Sequence, residues 1–359
     1  MKKILVCIFK YHGDVLLSGP VFTALREKYP EAVIDAYLFK DTLPMLEGHP
    51  AISRFILFDQ AWRKYSLPRR IFQEAKMWLK VRRESYDLVF NLTSGDRGAL
   101  VALISGAKVR IGIEREGGMR QKNGFFTKVV RKTLTHRHIV ERNLDVVRAI
   151  GIVPQNKDLI FVIPEGAAKR VDEILPYKDF ILIHPVSRSH FKHWPMEKFR
   201  ELVGDLRAQG EKIIISGGPG KEEQNWIKEI MAPFVEDPFV QSLAGKINLK
   251  EMGALVQRAK LLVSIDSVPP HIASALKTPV IIIFGPSDDL KWGPWNNPNA
   301  RVVRLNDLPC KRCDQEGCGG TWMSHCLIAL PKNLVLQEIN SYLSNRRNCA
   351  IPLESEVVT

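Results

Sequence analysis

Residues 261–288 read LLVSIDSVPPHIASALKTPVIIIFGPSD. An apolar run ends at Asp266-Ser267, two prolines open a stretch of helix length, and a second apolar run follows Pro279. Proline is tolerated in the first turn of a helix, where its missing N–H would have had no partner, so Pro269-Pro270 marks a helix start and not a break. The stretch is therefore strand, helix, strand, the unit from which parallel sheets are wound. Open sheets of this kind hold their ligands at the carboxyl ends of the strands. Asp266 and Ser267 stand at such an end. Ser267 is the expected N-cap, and the amides of Ser267, Val268 and His271 form an expected anion cradle at the positive end of the helix.

Outward from this unit, the runs at 180–184, 212–216 and 280–284 read as further strands, and 334–343 as a helix that packs back. HPVSRSHFKHWPMEKF (184–199) sets Ser187, Arg188, Ser189 and Lys192 between a strand and a helix that opens near Pro195. Hydroxyls with a cation at a strand end suit a diphosphate. ISGGPGKEE (215–223) is a glycine turn entering a helix, a weaker signal because many such loops need glycine for geometry alone.

The first half repeats the alternation, with strands expected at 3–9, 33–39, 54–58, 87–92 and 108–113 and helices at 17–29 and 68–85. After its first apolar run comes KYHGDVLLSGP (10–20). Gly13 and Asp14 there fit an ordinary turn with a helix cap, or a functional carboxylate at the end of the first strand. A length of 359 residues suits two domains. The expectation is α/β throughout: a Rossmann-like domain over 1–165, a second over 166–345 and a tail over 346–359, the two parallel sheets facing each other across a cleft. No short repeat suggests a solenoid.

The chain holds 52 Lys and Arg against 39 Asp and Glu, a net charge of +13. Eight basic residues and one acid, Glu74, lie between Trp62 and Arg83, and nine against Glu114 and Glu116 lie between Ala107 and Arg137. Such blocks favour anionic partners, or simply form a solvated face. No apolar stretch nears the roughly 20 residues that span a bilayer, and MKKILVCIF lacks a signal-peptide cleavage pattern. A cytoplasmic protein is expected.

Taken together, HGDVLLSGP, FKHWPMEKF, IISGGPGKEE, SLAGKINLKEMGALV, DSVPPHIASA and FGPSDDLKWGPW resemble the ADP-heptose:lipopolysaccharide heptosyltransferases, glycosyltransferase family 9, over nearly the whole chain in order. KYHGD, VFNLT and FKHW are most similar to the family's type III branch. The resemblance implies a GT-B fold, an acceptor-binding first domain, a donor-binding second domain and inverting heptose transfer from ADP-L-glycero-D-manno-heptose to the lipopolysaccharide inner core, with no required cofactor. It also implies Asp14 as general base, with Lys192 and Ser187 on the donor diphosphate and Asp266 on the donor sugar. Ser267, Val268 and His271 would line the phosphates, and the turn of Leu243, Ala244 and Gly245 would border the nucleotide. Arg188 and Glu222 complete the expected donor set. Here the chain departs from the family: Lys221 stands where an acid is usual, with Glu222 shifted by one, and the two prolines after Val268 remove amides. The acceptor is anionic and membrane-anchored, so the resemblance implies a peripheral protein on the inner membrane, read as a monomer.

Cys310, Cys313, Cys318 and Cys326 form C-x2-C-x4-C-x7-C, a spacing open to a structural zinc. Against that, such cysteines recur in the resembled family without an essential metal, and no metal is expected. Two other readings compete. A nucleotide-sugar epimerase on the same architecture leaves the basic first half without a role, and a nucleic-acid-binding protein lacks any recognisable module or aromatic stacking platform. A type I or type II heptosyl transfer is the nearer alternative.

Overall fold

Lys3–Ile8 (β1) is buried from Ile4 onward on both faces, as a central parallel strand must be. The computed structural model, which describes residues 1–93, 95–114, 124–131 and 136–350, builds a sheet on it. After β1 come the short helix His12–Leu16 (α1), Gly19–Lys28 (α2), Val33–Phe39 (β2), Arg54–Phe58 (β3), Leu67–Arg83 (α3) and Leu88–Asn91 (β4). Asp96–Ser105 (α4), Val109–Ile113 (β5), Lys128–Val130 (β6) and Ile139–Arg148 (α5) complete it. All pairings are parallel, in the order β3-β2-β1-β4-β5-β6.

Glu165–Ile174 (α6) leads to the second series: Ile181–His184 (β7), Met196–Ala208 (α7), Ile213–Ile215 (β8), Lys221–Met231 (α8), Val240–Ser242 (β9) and Leu249–Arg258 (α9). Leu261–Ile265 (β10), Val268–Leu276 (α10), Val280–Ile283 (β11), Asp289–Trp292 (α11), Ala300–Val303 (β12), His325–Ala329 (α12) and Lys332–Ala350 (α13) follow. This sheet is also parallel, in the order β12-β11-β10-β7-β8-β9. Counted from its own first strand, each sheet reads 3-2-1-4-5-6, the doubly wound order of nucleotide-binding folds. The winding reverses between β1 and β4 in one and between β7 and β10 in the other.

The chain divides into two compact units. One comprises Met1–Lys169 with Ser274–Leu276 and Leu290–Asn296; the other comprises Arg170–Ala273, Lys277–Asp289 and the chain from Asn297 onward. Each has its own core: Leu5, Cys7, Phe9, Tyr37, Phe58 and Val89 centre the first, and Ile183, Trp194, Phe199, Ile215, Val263 and Ile283 the second. A charge sits in the first interior. Asp35 is buried on β2, where Arg54 meets it at 2.7 and 3.0 Å and the Tyr86 hydroxyl donates to it at 2.6 Å, so the carboxylate is fully occupied by donors.

Three strands escape the sequence reading. β6, β9 and β12 have three or four residues each, too few for a period to register, and each lies at the edge of its sheet. The helix expected over 17–29 is α2, with Pro20 in its first turn where a missing N–H costs little, and the short α1 precedes it; between them the Ser18 hydroxyl donates to the Asp14 carbonyl at 2.7 Å. α13 continues past the expected domain end at 345 to Ala350, and the rest of the expected tail lies outside the described residues. Parts of the second basic block, residues 115–123 and 132–135, also lie outside them.

Candidate functional site

In the second unit, β7 and β10 are neighbours at the winding reversal, with His184 opposite Ser264 at their carboxyl ends. Two of the residues picked from sequence meet there. Lys192 sits on the single 3-10 turn His190–Lys192 after β7, Asp266 directly follows β10, and the Lys192 Nζ lies 2.6 Å from the Asp266 Oδ2. Asp266 is buried and Lys192 is a quarter exposed, so the pair is a partly desolvated ion pair with one face open.

The turn that carries Lys192 is fixed on both sides. The Ser324 hydroxyl donates to the Phe191 carbonyl at 2.6 Å, and the fully buried Trp194 donates its indole N–H to the Leu330 carbonyl at 3.1 Å. The backbone of Ser187 is held by His193, whose Nε2 is 2.7 Å from the Ser187 carbonyl and 3.0 Å from its amide. Burial lowers the pKa of His193, favouring the neutral ring. His184, against the Ser216 hydroxyl at 3.0 Å, is pushed down to about 4 by burial and, less strongly, by His193. Arg188 lies exposed in the same loop, and the Ser187 Oγ accepts the Ser189 amide at 3.3 Å.

Ser267 occupies the N-cap position of α10, but its hydroxyl does not cap the helix, contrary to the sequence expectation. Its extended backbone turns the side chain back toward β10, where it donates to the Ile265 carbonyl at 3.1 Å and meets the Ser264 hydroxyl at 3.1 Å. Val268 is half-buried at the helix start, Pro269 and Pro270 follow, and His271 is buried.

The glycine turn carries a second difference. Glu223 accepts the Gly218 amide at 2.7 Å, while Glu222 is exposed and stands 3.3 Å from His190 Nε2. The acid that shapes the turn is thus one residue beyond the one chosen from sequence. Leu243 is buried after β9, its amide donating to Ile215, and Gly245, with φ +69°, donates to the Gly217 carbonyl at 3.0 Å. That positive φ is the conformation glycine adopts without strain.

In the first unit, Asp14 lies in the first turn of α1 and not ahead of the helix, since the helix already starts at His12. Its Oδ1 is 3.7 Å from Lys10 Nζ, each side chain about one-fifth exposed. Sequence reading gave Lys10 no role, although the spacing K-x-x-x-D was visible. Burial lowers the Lys10 pKa, Lys291 and Arg142 push the same way, and Asp14 opposes them. A cation that is costly to desolvate is kept next to the carboxylate, at the carboxyl end of the strand where this sheet reverses.

The cysteine loop is held by protein contacts. Arg312 reaches Asp289 at 2.8 and 3.0 Å, Arg304 joins the same carboxylate, the Asp314 amide donates to Pro286 at 2.9 Å, and the Asp288 amide donates to Asp314 at 3.2 Å. Cys310, Cys313, Cys318 and Cys326 are free thiols. Among the described residues, no three His, Cys, Asp or Glu side chains stand close enough together to hold a metal ion. A cavity of about 520 Å³ in the first unit, lined by Glu141, Lys157, Asp158, Trp295 and others, contains none of the residues selected from sequence.

The model of glycosyltransferase family 9 (heptosyltransferase) matches residues 74–321. The chain is 33% identical to lipopolysaccharide heptosyltransferase 3 of Escherichia coli over 80% of its length and 85% of that protein. It is 30% identical to lipooligosaccharide heptosyltransferase 2 of Campylobacter jejuni over 96% and 99%. Among solved structures it is similar to the E. coli ADP-heptose lipopolysaccharide heptosyltransferase II, with a TM-score of 0.77, 23% identity, and coverage of 97% of this chain and 100% of that one.

Proposed function

The chain belongs to glycosyltransferase family 9, the heptosyltransferases, and from that premise we propose that it moves heptose from ADP-heptose onto the inner core of lipopolysaccharide, at the step performed by type III enzymes. The observation that carries the donor assignment is the Lys192–Asp266 pair at the winding reversal of the second sheet. A nucleotide sugar has two things to hold there: a diphosphate that must leave, and a sugar whose hydroxyls need acceptors. The cation answers the first and the carboxylate the second.

In the reaction, an acceptor hydroxyl oxygen bonds to the anomeric carbon of the donor as the bond from that carbon to the diphosphate oxygen breaks. Configuration inverts. Asp14 takes the hydroxyl proton, and Lys10 beside it holds the carboxylate in place. Lys192 and the positive end of α10 neutralise the departing ADP, work that a divalent cation performs in other transferases. Ser187, Val268 and His271 border the phosphates, Arg188 approaches them from the exposed loop, and Leu243 flanks the nucleotide. Glu222 has no place in this scheme that its exposed position supports. We assign no resident metal to the cysteine loop.

The 33% identity to a type III enzyme, together with KYHGD, VFNLT and FKHW, supports the type III step over the type I and II steps. The family match supports transfer over epimerisation. Since the acceptor is a lipid, the enzyme works as a peripheral protein at the cytoplasmic face of the inner membrane, and as a monomer. Incubation with ADP-heptose and a set of truncated core acceptors, with the products weighed by mass spectrometry, tests the proposal. One added heptose on the acceptor that already carries the main-chain heptoses is expected; transfer only to a heptose-free core would replace the type III step with type I, and no transfer to any core would overturn the reading.

A further inference from the structure

The 17-residue helix α3 presents two opposed faces. Inward, Val81 is fully buried and Met77 packs on the core. The helix's one acid, Glu74, is turned to this side, where it takes Arg70 at 3.3 Å and Arg97 at 3.2 Å. Arg82 donates to the Ser105 carbonyl at 3.3 Å. Outward, Phe72, Lys76, Leu79 and Arg83 follow one another in steps of four, three and four residues, which places them on one line along the helix. Phe72 is 65% exposed and Leu79 is 56% exposed; Leu67 and Ile71, at 67% and 58%, extend the apolar surface at the helix start.

One exposed leucine is ordinary. Four large apolar side chains on a single helix, interleaved with Arg69, Lys76, Lys80 and Arg83 and with the only acid facing inward, form a surface with a definite chemistry. We propose that this outer face of α3 docks on a bilayer rich in anionic phospholipid, Phe72 and Leu79 entering the boundary of the acyl chains while Lys76, Lys80 and Arg83 meet lipid phosphates. Helices of this pattern lie in the plane of the membrane surface. Charge complementarity favours lipid over a protein groove: Arg69, Lys76, Lys80 and Arg83 run beside the apolar line along its whole length, which a continuous sheet of phosphates matches and an acidic groove would have to be shaped to match. The transferase reading supplies the reason to visit a membrane, and the docking surface rests on it in that respect alone.

The test is co-sedimentation of the full chain with vesicles of phosphatidylcholine containing about a quarter phosphatidylglycerol, compared with pure phosphatidylcholine, in about 0.1 M salt. The expected result is partitioning at least tenfold stronger onto the anionic vesicles, reduced at least tenfold in the double variant Phe72→Ser/Leu79→Ser. Both residues are exposed, so the variant should keep the wild-type melting temperature and the wild-type rate on a deacylated, water-soluble core acceptor. Absent binding to anionic vesicles, equal binding to both vesicle types, or a double variant that binds like wild type would overturn the proposal. Capture of a protein partner through α3 without vesicle binding would overturn it as well. Heptose transfer to the soluble acceptor is read separately, so its loss would count against the transferase assignment and not against the helix.

Discussion

Lys192 Nζ sits 2.6 Å from Asp266 Oδ2, so the cation proposed to receive the donor diphosphate is already partnered by a buried carboxylate from the neighbouring strand end. The pair joins residues 74 positions apart in sequence and exists only because β7 and β10 are adjacent where the winding reverses. A diphosphate arriving there does not meet a bare charge. It competes with, or shares, a preformed ion pair.

Replacing Lys192 should therefore have two separable effects. Lys192→Ala leaves Asp266 buried without its cation, which is expected to cost about 1–3 kcal/mol of stability, and it removes the phosphate contact. Adding Asp266→Asn should recover much of the stability and none of the nucleotide affinity. Denaturant titration and calorimetry with ADP read the two effects. ADP binding at the wild-type level in Lys192→Ala would remove this residue from the donor site.

Asp14→Asn preserves shape and deletes the proton acceptor. Turnover is expected to fall by about 10²–10⁴, with melting temperature and ADP affinity unchanged. Near wild-type turnover would show that another group takes the proton.

Acid should destabilise the fold through its buried histidines. His184 and His49 both titrate at about 4, in each case chiefly because burial disfavours the charged ring. Near the ordinary value of about 6.5 the unfolded chain takes up protons that the folded chain refuses, so stability declines as pH drops from about 6.5 toward 4 and the full loss is present below that. For His184 alone the loss is on the order of 3 kcal/mol. His184→Gln should flatten the stability profile across this window, and a variant profile as steep as wild type would contradict the assignment.

The cysteines should differ in reactivity. Burial pushes the Cys326 thiol up to about 11, aided by the neighbouring Cys318, Cys313 and Cys310, while Cys310 is exposed. At pH 7.5, alkylation followed by mass spectrometry is expected to label Cys310 well before Cys326. Equal rates would mean that the loop opens on the time scale of the reaction.

Much of this was written in the sequence. Strands of five to seven mostly apolar residues announce themselves, so the interior strands β2 and β10 and the edge strand β3 fall on the residues expected, and the helix start at Val268 follows from where a proline can sit. Edge strands of three or four residues carry no such signal. At the site, residue types at strand ends pointed to Lys192 and Asp266 but not to their pairing, which depends on strand order. The hydroxyl of Ser267 and the shift from Glu222 to Glu223 show the same limit at finer scale. Which of two adjacent polar groups reaches a backbone amide is decided by φ and ψ, and a list of residue types does not contain them.

Pro269 and Pro270 give α10 an abrupt beginning, and of its three opening residues only Val268 retains an N–H. Attraction toward an anion there is consequently left mainly to whole charges, whose reach mobile counter-ions shorten, and less to amide donors that bond the anion at contact distance. Nucleotide affinity in this chain should fall more steeply with rising ionic strength than it would if both positions carried ordinary amides.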